Sequence, residues 1–415
     1  MKALFESLFS SAAVIPAKRL TAFESRVSAT RSNVIGTRLS SAAAFTTTTS
    51  QSTTEKMATK KDLLQDWFSW VEKPMISNGP MIGAASPRLA TEVSRAGGLG
   101  FHKCIVDISA DCDNLKELDT ELAESRRLLG EEATDSQGRL RVGAGFLGLH
   151  DSFPDFILTA LPILKVHKPC AIWLFAPATS PTPHHKPIIE AVKTQIDPPP
   201  RVFVQVGNVT AAREAIEDGA DVIVSQGIDA GGHQYRKGMG VVSLVPEVKD
   251  LVKEFGKEAK VAVMAAGGIV CGQGAAAALA LGADGIVMGT RFTVAEESVY
   301  PDFRKALVLE TKDGGKTTLK SWFNDKIAEN HKWGELYDGR AIIGPIHDKF
   351  MAGSTLEECL KELKEEYPKE EAIRLINTWA GTAVGRVNKA MPAGEIVKEV
   401  RENAIKVLKA LAERY

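Results

Sequence analysis

The chain has 415 residues, 44% hydrophobic and 25% charged, a soluble globular composition sufficient for one large or two medium domains. Lys and Arg number 51 against 52 Asp and Glu, so the net charge of −1 gives no argument for nucleic acid or a polybasic membrane surface as partner. No apolar run approaches the roughly 20 residues that cross a bilayer. The cysteines Cys104, Cys112, Cys170, Cys271 and Cys359 are scattered without a C-x-x-C pair, which argues against a zinc site or a disulfide framework and fits a reducing compartment.

Residues 1–57 are rich in Ser, Thr and Ala and end near a run of threonines, Thr46 to Thr49. Lys18, Arg19, Arg26, Arg31 and Arg38 are spread through them against few acids, the bias of a mitochondrial transit peptide. The alternatives are a disordered tail, or an over-extended sequence whose start is Met57, with a cytoplasmic location. This leader is kept apart from the fold.

From Asp62 the pattern becomes regular. Leu63, Leu64, Trp67, Phe68 and Val71 follow helical spacing, so a short helix opens the folded part. Short apolar runs then alternate with amphipathic segments. The runs predict strands at Pro74–Met81, Gly98–His102, Arg141–Leu147, Ala171–Ala176, Arg201–Val206, Asp221–Gln226, Lys260–Ala266 and Asp284–Gly289. Helices are expected between them at about 86–96, 113–129, 154–166, 185–196, 209–218, 242–256 and 271–281. Strands alternating with helices demand a parallel sheet, and eight units match a (β/α)8 TIM barrel over residues 58–300, with a doubly wound sheet as the alternative. Residues 301–385 break the alternation and read as a mainly helical insertion or lid after the eighth strand. In 386–415, Ile396, Val397, Val400, Ile405, Leu408 and Leu411 recur at helical spacing, so a last helix closes the barrel. The charged run Glu357–Lys369 reads as a solvated helix face, and His184 and His185 as a solvated loop rather than metal ligands, there being no third ligand at a suitable spacing.

The chemistry concentrates at strand ends. After the sixth predicted strand comes Gln226-Gly-Ile-Asp-Ala-Gly-Gly-His233. Gly231 and Gly232 lack side chains, so a flat ligand can approach the backbone there, and Gln226 offers an amide to a heterocycle's edge. His233 carries a ring that takes or gives a proton near neutral pH. After the seventh strand come Gly267 and Gly268, and after the eighth Met288-Gly-Thr-Arg-Phe292, with Gly289 and Thr290. In a barrel these two loops are where phosphate binds, because glycine turns and a following helix expose N–H groups to an anion. The other reading of these glycines is close helix–strand packing alone. No G-x-G-x-x-G fingerprint with a downstream acid is present, so the cofactor reads as a mononucleotide with a flat redox ring, FMN being the first choice. The small residues Gly79–Gly83, with Pro80 and Met81, leave room for such a ring.

These motifs, Gly79-Pro-Met81 with Ala96-Gly-Gly-Leu-Gly100, Gln226 to His233, Ala266-Gly-Gly268 and Met288 to Phe292, resemble those of the nitronate monooxygenase family, formerly the 2-nitropropane dioxygenases. The likeness spans about 74–300, plus Trp379-Ala-Gly-Thr-Ala383. The resemblance implies a barrel holding FMN non-covalently at Gly79, Pro80, Met81, Gln226, Gly231, Gly268, Met288, Gly289 and Thr290, with His233 as the catalytic histidine. It implies small-molecule partners, an alkyl nitronate or nitroalkane and O2, giving a carbonyl compound and nitrite. A homodimer is left open. The sequence departs from the family at Val142-Gly-Ala-Gly-Phe146, where an Asn is common and a smaller residue would widen the pocket, at Asp229, and at Gln234-Tyr235. Flavin-dependent enoyl-thioester reductases share much of the pattern, so an FMN-dependent NAD(P)H oxidoreductase and a non-catalytic flavin-binding protein are the competing readings.

Overall fold

The computed structural model describes residues 62–177 and 185–415. The leader at 1–57 and His184 lie outside the described residues. Within them the apolar runs form strands β1 (Met75–Asn78), β2 (Gly100–Ile105), β3 (Leu140–Leu147), β4 (Pro169–Phe175), β5 (Arg201–Val206), β6 (Val222–Gln226), β7 (Gly232–Tyr235), β8 (Ala262–Ala266) and β9 (Gly285–Met288). Two further strands follow, β10 (Thr318–Ser321) and β11 (Tyr337–Ile342).

Eight strands form one parallel sheet in the order β1-β9-β8-β6-β5-β4-β3-β2. Its two ends meet through a parallel bridge between Ser77 and Leu99. Asn78, fully buried, reinforces that seam: its Nδ2 donates to the Phe101 carbonyl at 2.8 Å and its Oδ1 accepts from Phe101 N at 2.9 Å. The result is the (β/α)8 barrel expected from the alternation, with helices such as Pro87–Arg95, Asp113–Leu129 and Val209–Glu217 packed outside. Near-continuous apolar strands are what a sheet covered on both faces requires.

Inside the barrel, Phe101, Trp173 and Phe203 form an aromatic layer, with Trp173 and Phe203 stacked at 6.1 Å and Phe101 set edge-on to Trp173 at 5.1 Å. Phe68, after the first helix Leu63–Trp67, adds its ring 6.2 Å from Phe203. The buried Arg139–Asp135 pair ties this plug to the barrel, because the Arg139 guanidinium also donates to the Trp67 carbonyl. One end of the barrel is therefore filled with side chains, and the other is left for a ligand.

The second sheet is not anticipated by the sequence reading. The glycine-rich loop after β6 does not end as a loop at His233. It becomes β7, which pairs antiparallel with β11, and β11 pairs with β10. His233 lies opposite Gly339 in that ladder. Residues 302–386 thus combine helices such as Asp302–Glu310, Phe323–Ile327 and Leu356–Glu365 with two strands built onto the barrel's own loop. The charged run carries an apolar seam, Cys359 and Leu363, under an otherwise solvated face. His185 corrects its reading: it is buried, 3% exposed, with its ring 6.3 Å from Phe153. The last helix, Ala393–Arg414, buries Ile396, Val397, Val400 and Ala404 against the layer formed by helices Pro87–Arg95 and Gly272–Ala280.

Candidate active site

A cavity of about 440 Å³ opens at the carboxyl ends of the strands. It falls within the range of small-molecule and cofactor sites. Gly79, Pro80 and Met81 from the loop after β1 line it, together with Gln226, Gly231, Gly232 and His233 after β6. Gly267 and Gly268 after β8 and Gly289 and Thr290 after β9 complete the far wall. Met288 stands apart from the other sequence-predicted site residues. Its side chain packs outward with Ile76, Leu89 and Phe292, and its carbonyl accepts from Gly79 N at 3.0 Å.

The glycines divide by task. Gly267 and Gly268 hold φ of 95° and 72°, a region that side chains with a Cβ resist, and a Cβ on Gly268 would lie 2.9 Å from that of Asp229. Gly231 lines the cavity, and the chain itself also approaches it closely. The peptide that comes near is Ala380–Gly381. The same return segment is pinned by Gly381 N donating to Thr290 Oγ1 at 3.0 Å and Thr382 N donating to the Asp229 carbonyl at 3.0 Å. The third-strand departure does not widen the pocket. A Cβ on Gly145 would meet Pro80 Cβ and Cys104 Sγ at 2.8 Å, so those two side chains fill the space.

Gln226 sits in a relay of amides. Trp173 Nε1 donates to Gln205 Oε1 at 3.2 Å, and Gln205 Nε2 donates to Gln226 Oε1 at 2.7 Å. Gln226 Nε2 donates to the His233 carbonyl at 3.2 Å. With its oxygen engaged, Gln226 offers its remaining N–H to the cavity, which makes it a donor.

His233 is held on every side by residues that sequence reading did not connect to it. Its Nε2 lies 2.7 Å from Asp325 Oδ1, and its ring stacks on Trp333 at 3.7 Å with an interplanar angle of 9°. Trp379 tilts across it at 4.8 Å. Asp325 is buried, on the short helix Phe323–Ile327. No local motif marks it, since Phe-Asn-Asp-Lys is ordinary helix sequence; Trp379 alone among the three falls in a motif that the resemblance covered.

Among the described residues lining the cavity, Arg304 is the only side chain with a permanent charge. It lies over the rings of Tyr300 and Phe303, at 5.8 and 5.4 Å. Burial pushes the Tyr300 phenol up to about 12, so it stays neutral, and its oxygen accepts from Trp379 N at 2.8 Å. Burial pushes the Cys104 thiol up as well, which removes it as a thiolate nucleophile. Asn377, with φ of 55°, places at the wall an Oδ1 that is buried without a partner among the described residues.

A parallel barrel with a ligand-sized cavity at its carboxyl rim, backed by glycine turns and a proton-active ring, defines an enzyme of the TIM-barrel class. Comparisons with known proteins agree. The family model described as nitronate monooxygenase matches residues 184–403. A nitronate monooxygenase of Neurospora crassa is 45% identical over 363 residues, covering 84% of this chain and 94% of its own length. Among solved structures, FabK from Thermotoga maritima superposes with a TM-score of 0.64 at 22% identity, covering 86% of this chain and 99% of its own. A nitroalkane oxidase from Streptomyces ansochromogenes superposes with a TM-score of 0.60 at 21% identity, covering 84% and 99%. At those identities the two structures speak for the fold alone.

The chain belongs to the nitronate monooxygenase family, and it is an enzyme.

Proposed function

We propose that the protein binds FMN in this cavity and oxidises alkyl nitronates, and neutral nitroalkanes after deprotonation, with O2 to carbonyl compounds and nitrite. The observation that carries the reading is that His233 faces the same cavity as the glycine turns after β8 and β9. The residues present fit the cofactor. Gly267, Gly268, Gly289 and Thr290 form a rim suited to a phosphate, and among the described residues no carboxylate lines the cavity to oppose one. Met81, Leu147, Trp173 and Val287 supply apolar wall for a flat ring, and the Gln226 N–H and the orphaned Asn377 Oδ1 supply polar contacts. When bound, the flavin would supply the electron-transfer chemistry that no side chain can.

The protein's own part is binding, orientation and proton transfer. His233 takes a proton from the carbon beside the nitro group of a neutral nitroalkane, or, as the imidazolium, donates a hydrogen bond to the oxygen of an anionic nitronate. Trp333 and Trp379 pack against the imidazole and fix its plane.

The His233→Asn variant tests the assignment. It should retain bound flavin while turnover on a neutral nitroalkane falls about 10²-fold or more, the typical contribution of a general base. Wild-type turnover in that variant would remove the catalytic assignment. Anaerobic mixing separates the reductase reading: flavin bleaching by a nitronate alone supports the oxygenase, and bleaching by NADH alone supports the reductase.

A further inference from the structure

We infer that Asp325, carried by the segment between β10 and β11, selects the working nitrogen of His233, making Nδ1 the atom that takes the substrate proton. The inference rests on the proposed base role of His233 and adds a positioning residue to it.

An ionised carboxylate accepts hydrogen bonds and cannot donate them. Asp325 Oδ1 lies 2.7 Å from His233 Nε2, so in the neutral ring Nε2 carries the hydrogen and donates it. The lone pair is then left on Nδ1. Nothing in the pair is free to swing. His233 is clamped by the parallel Trp333 ring at 3.7 Å and by its ladder position opposite Gly339. Asp325 is 6% exposed at its side chain. The preceding residue anchors its helix: Asn324 Nδ2 donates to the carbonyls of Leu319 and Gly339, both at 2.9 Å, fixing the helix to β10 and β11.

In the step this sets up, the C–H bond beside the nitro group breaks and its electron pair stays on the substrate, delocalised into the nitro group as a nitronate. The proton forms an N–H bond at Nδ1. Asp325 keeps its contact with Nε2–H throughout, so the imidazolium that forms faces a carboxylate already in place. A substrate supplied as the nitronate has no proton to give and skips this step. Loss of Asp325 therefore bears unequally on the two substrates, which a merely structural defect does not do.

Two measurements test it. The first uses wild-type protein uniformly labelled with ¹⁵N-histidine, with His233→Asn for assignment, at the pH used for turnover. The expected spectrum shows His233 protonated at Nε2 and bare at Nδ1; an Nδ1–H tautomer or a doubly protonated ring overturns the inference, whatever the enzyme turns over. The second compares Asp325→Asn with Asp325→Glu at matched flavin content. The ratio of kcat on a neutral nitroalkane to kcat on its nitronate should fall about 10²-fold in the Asn variant and recover substantially in the Glu variant, on the scale of general-base contributions. An unchanged ratio in Asp325→Asn overturns it. If wild type turns over neither substrate, it is the proposed function that fails, and the tautomer measurement still decides this point.

Discussion

An added Cβ at Gly231 would overlap the Ala380–Gly381 peptide, and that peptide is also held by Thr290 and Asp229. The Gly231→Val variant should therefore push the return segment off the cavity wall, at a cost of about 1–3 kcal/mol typical of overpacking. Chemical denaturation should show that loss together with weaker flavin retention; a variant as stable and as yellow as wild type would contradict the packing. At this scale the sequence was partly legible. His233 and the glycine turns stand out because their chemistry is local, and glycine at φ of 95° and 72° has few substitutes. The role of Gly231 was legible only as closeness to something, since a sequence does not say whether a ligand or the chain itself comes near. Asp325 and Trp333 left no local signal, because what makes them matter is a partner about 100 residues away.

The helix that carries Asp325 depends on His347 of the helix Pro345–Met351. His347 Nε2 donates to Asn324 Oδ1 at 2.7 Å, and its Nδ1 accepts from Gly344 N at 3.2 Å. The second bond needs a bare Nδ1, which only the neutral ring has, and burial lowers the His347 pKa to about 4. Below about pH 6.5 the unfolded chain binds a proton that the folded site refuses, so this stabilisation is full above pH 6.5 and is lost as pH falls towards 4. The loss has a ceiling of about 3.5 kcal/mol, from the fall of the pKa from 6.5 to about 4 at about 1.4 kcal/mol per tenfold change in proton affinity. Urea unfolding of wild type and His347→Asn at pH 7 and pH 5 checks it: the wild type should lose more stability on acidification, and equal losses would contradict the coupling. Among elements, the eight barrel strands were legible because each is a short apolar run with its own boundaries. The β7–β11–β10 sheet was not, since Gly232–Tyr235 looks like loop until β11 supplies the ladder.

At the scale of the whole molecule, the plugged end and the open end have separate consequences. Phe203 is fully buried among Phe68, Phe101 and Trp173. Phe203→Ala should cost about 3–5 kcal/mol of stability, the range for removing a large core aromatic. Calorimetry should show the fall, and an unshifted Tm would mean that the aromatic layer does not hold the barrel. Barrel topology was legible because alternation of strands and helices admits few closed solutions. How residues 302–386 meet the barrel was not, because that contact is made by pairing over long sequence distances. The central claim concerns the open end: that the cavity binds a flavin which alkyl nitronates reduce. The most direct measurement is the absorbance spectrum of the purified protein, repeated after anaerobic addition of propyl-2-nitronate. The account predicts flavin bands, present on purification or after incubation with FMN, that bleach when the nitronate is added. A colourless protein that takes up no FMN, or a bound flavin that the nitronate leaves oxidised, would contradict it.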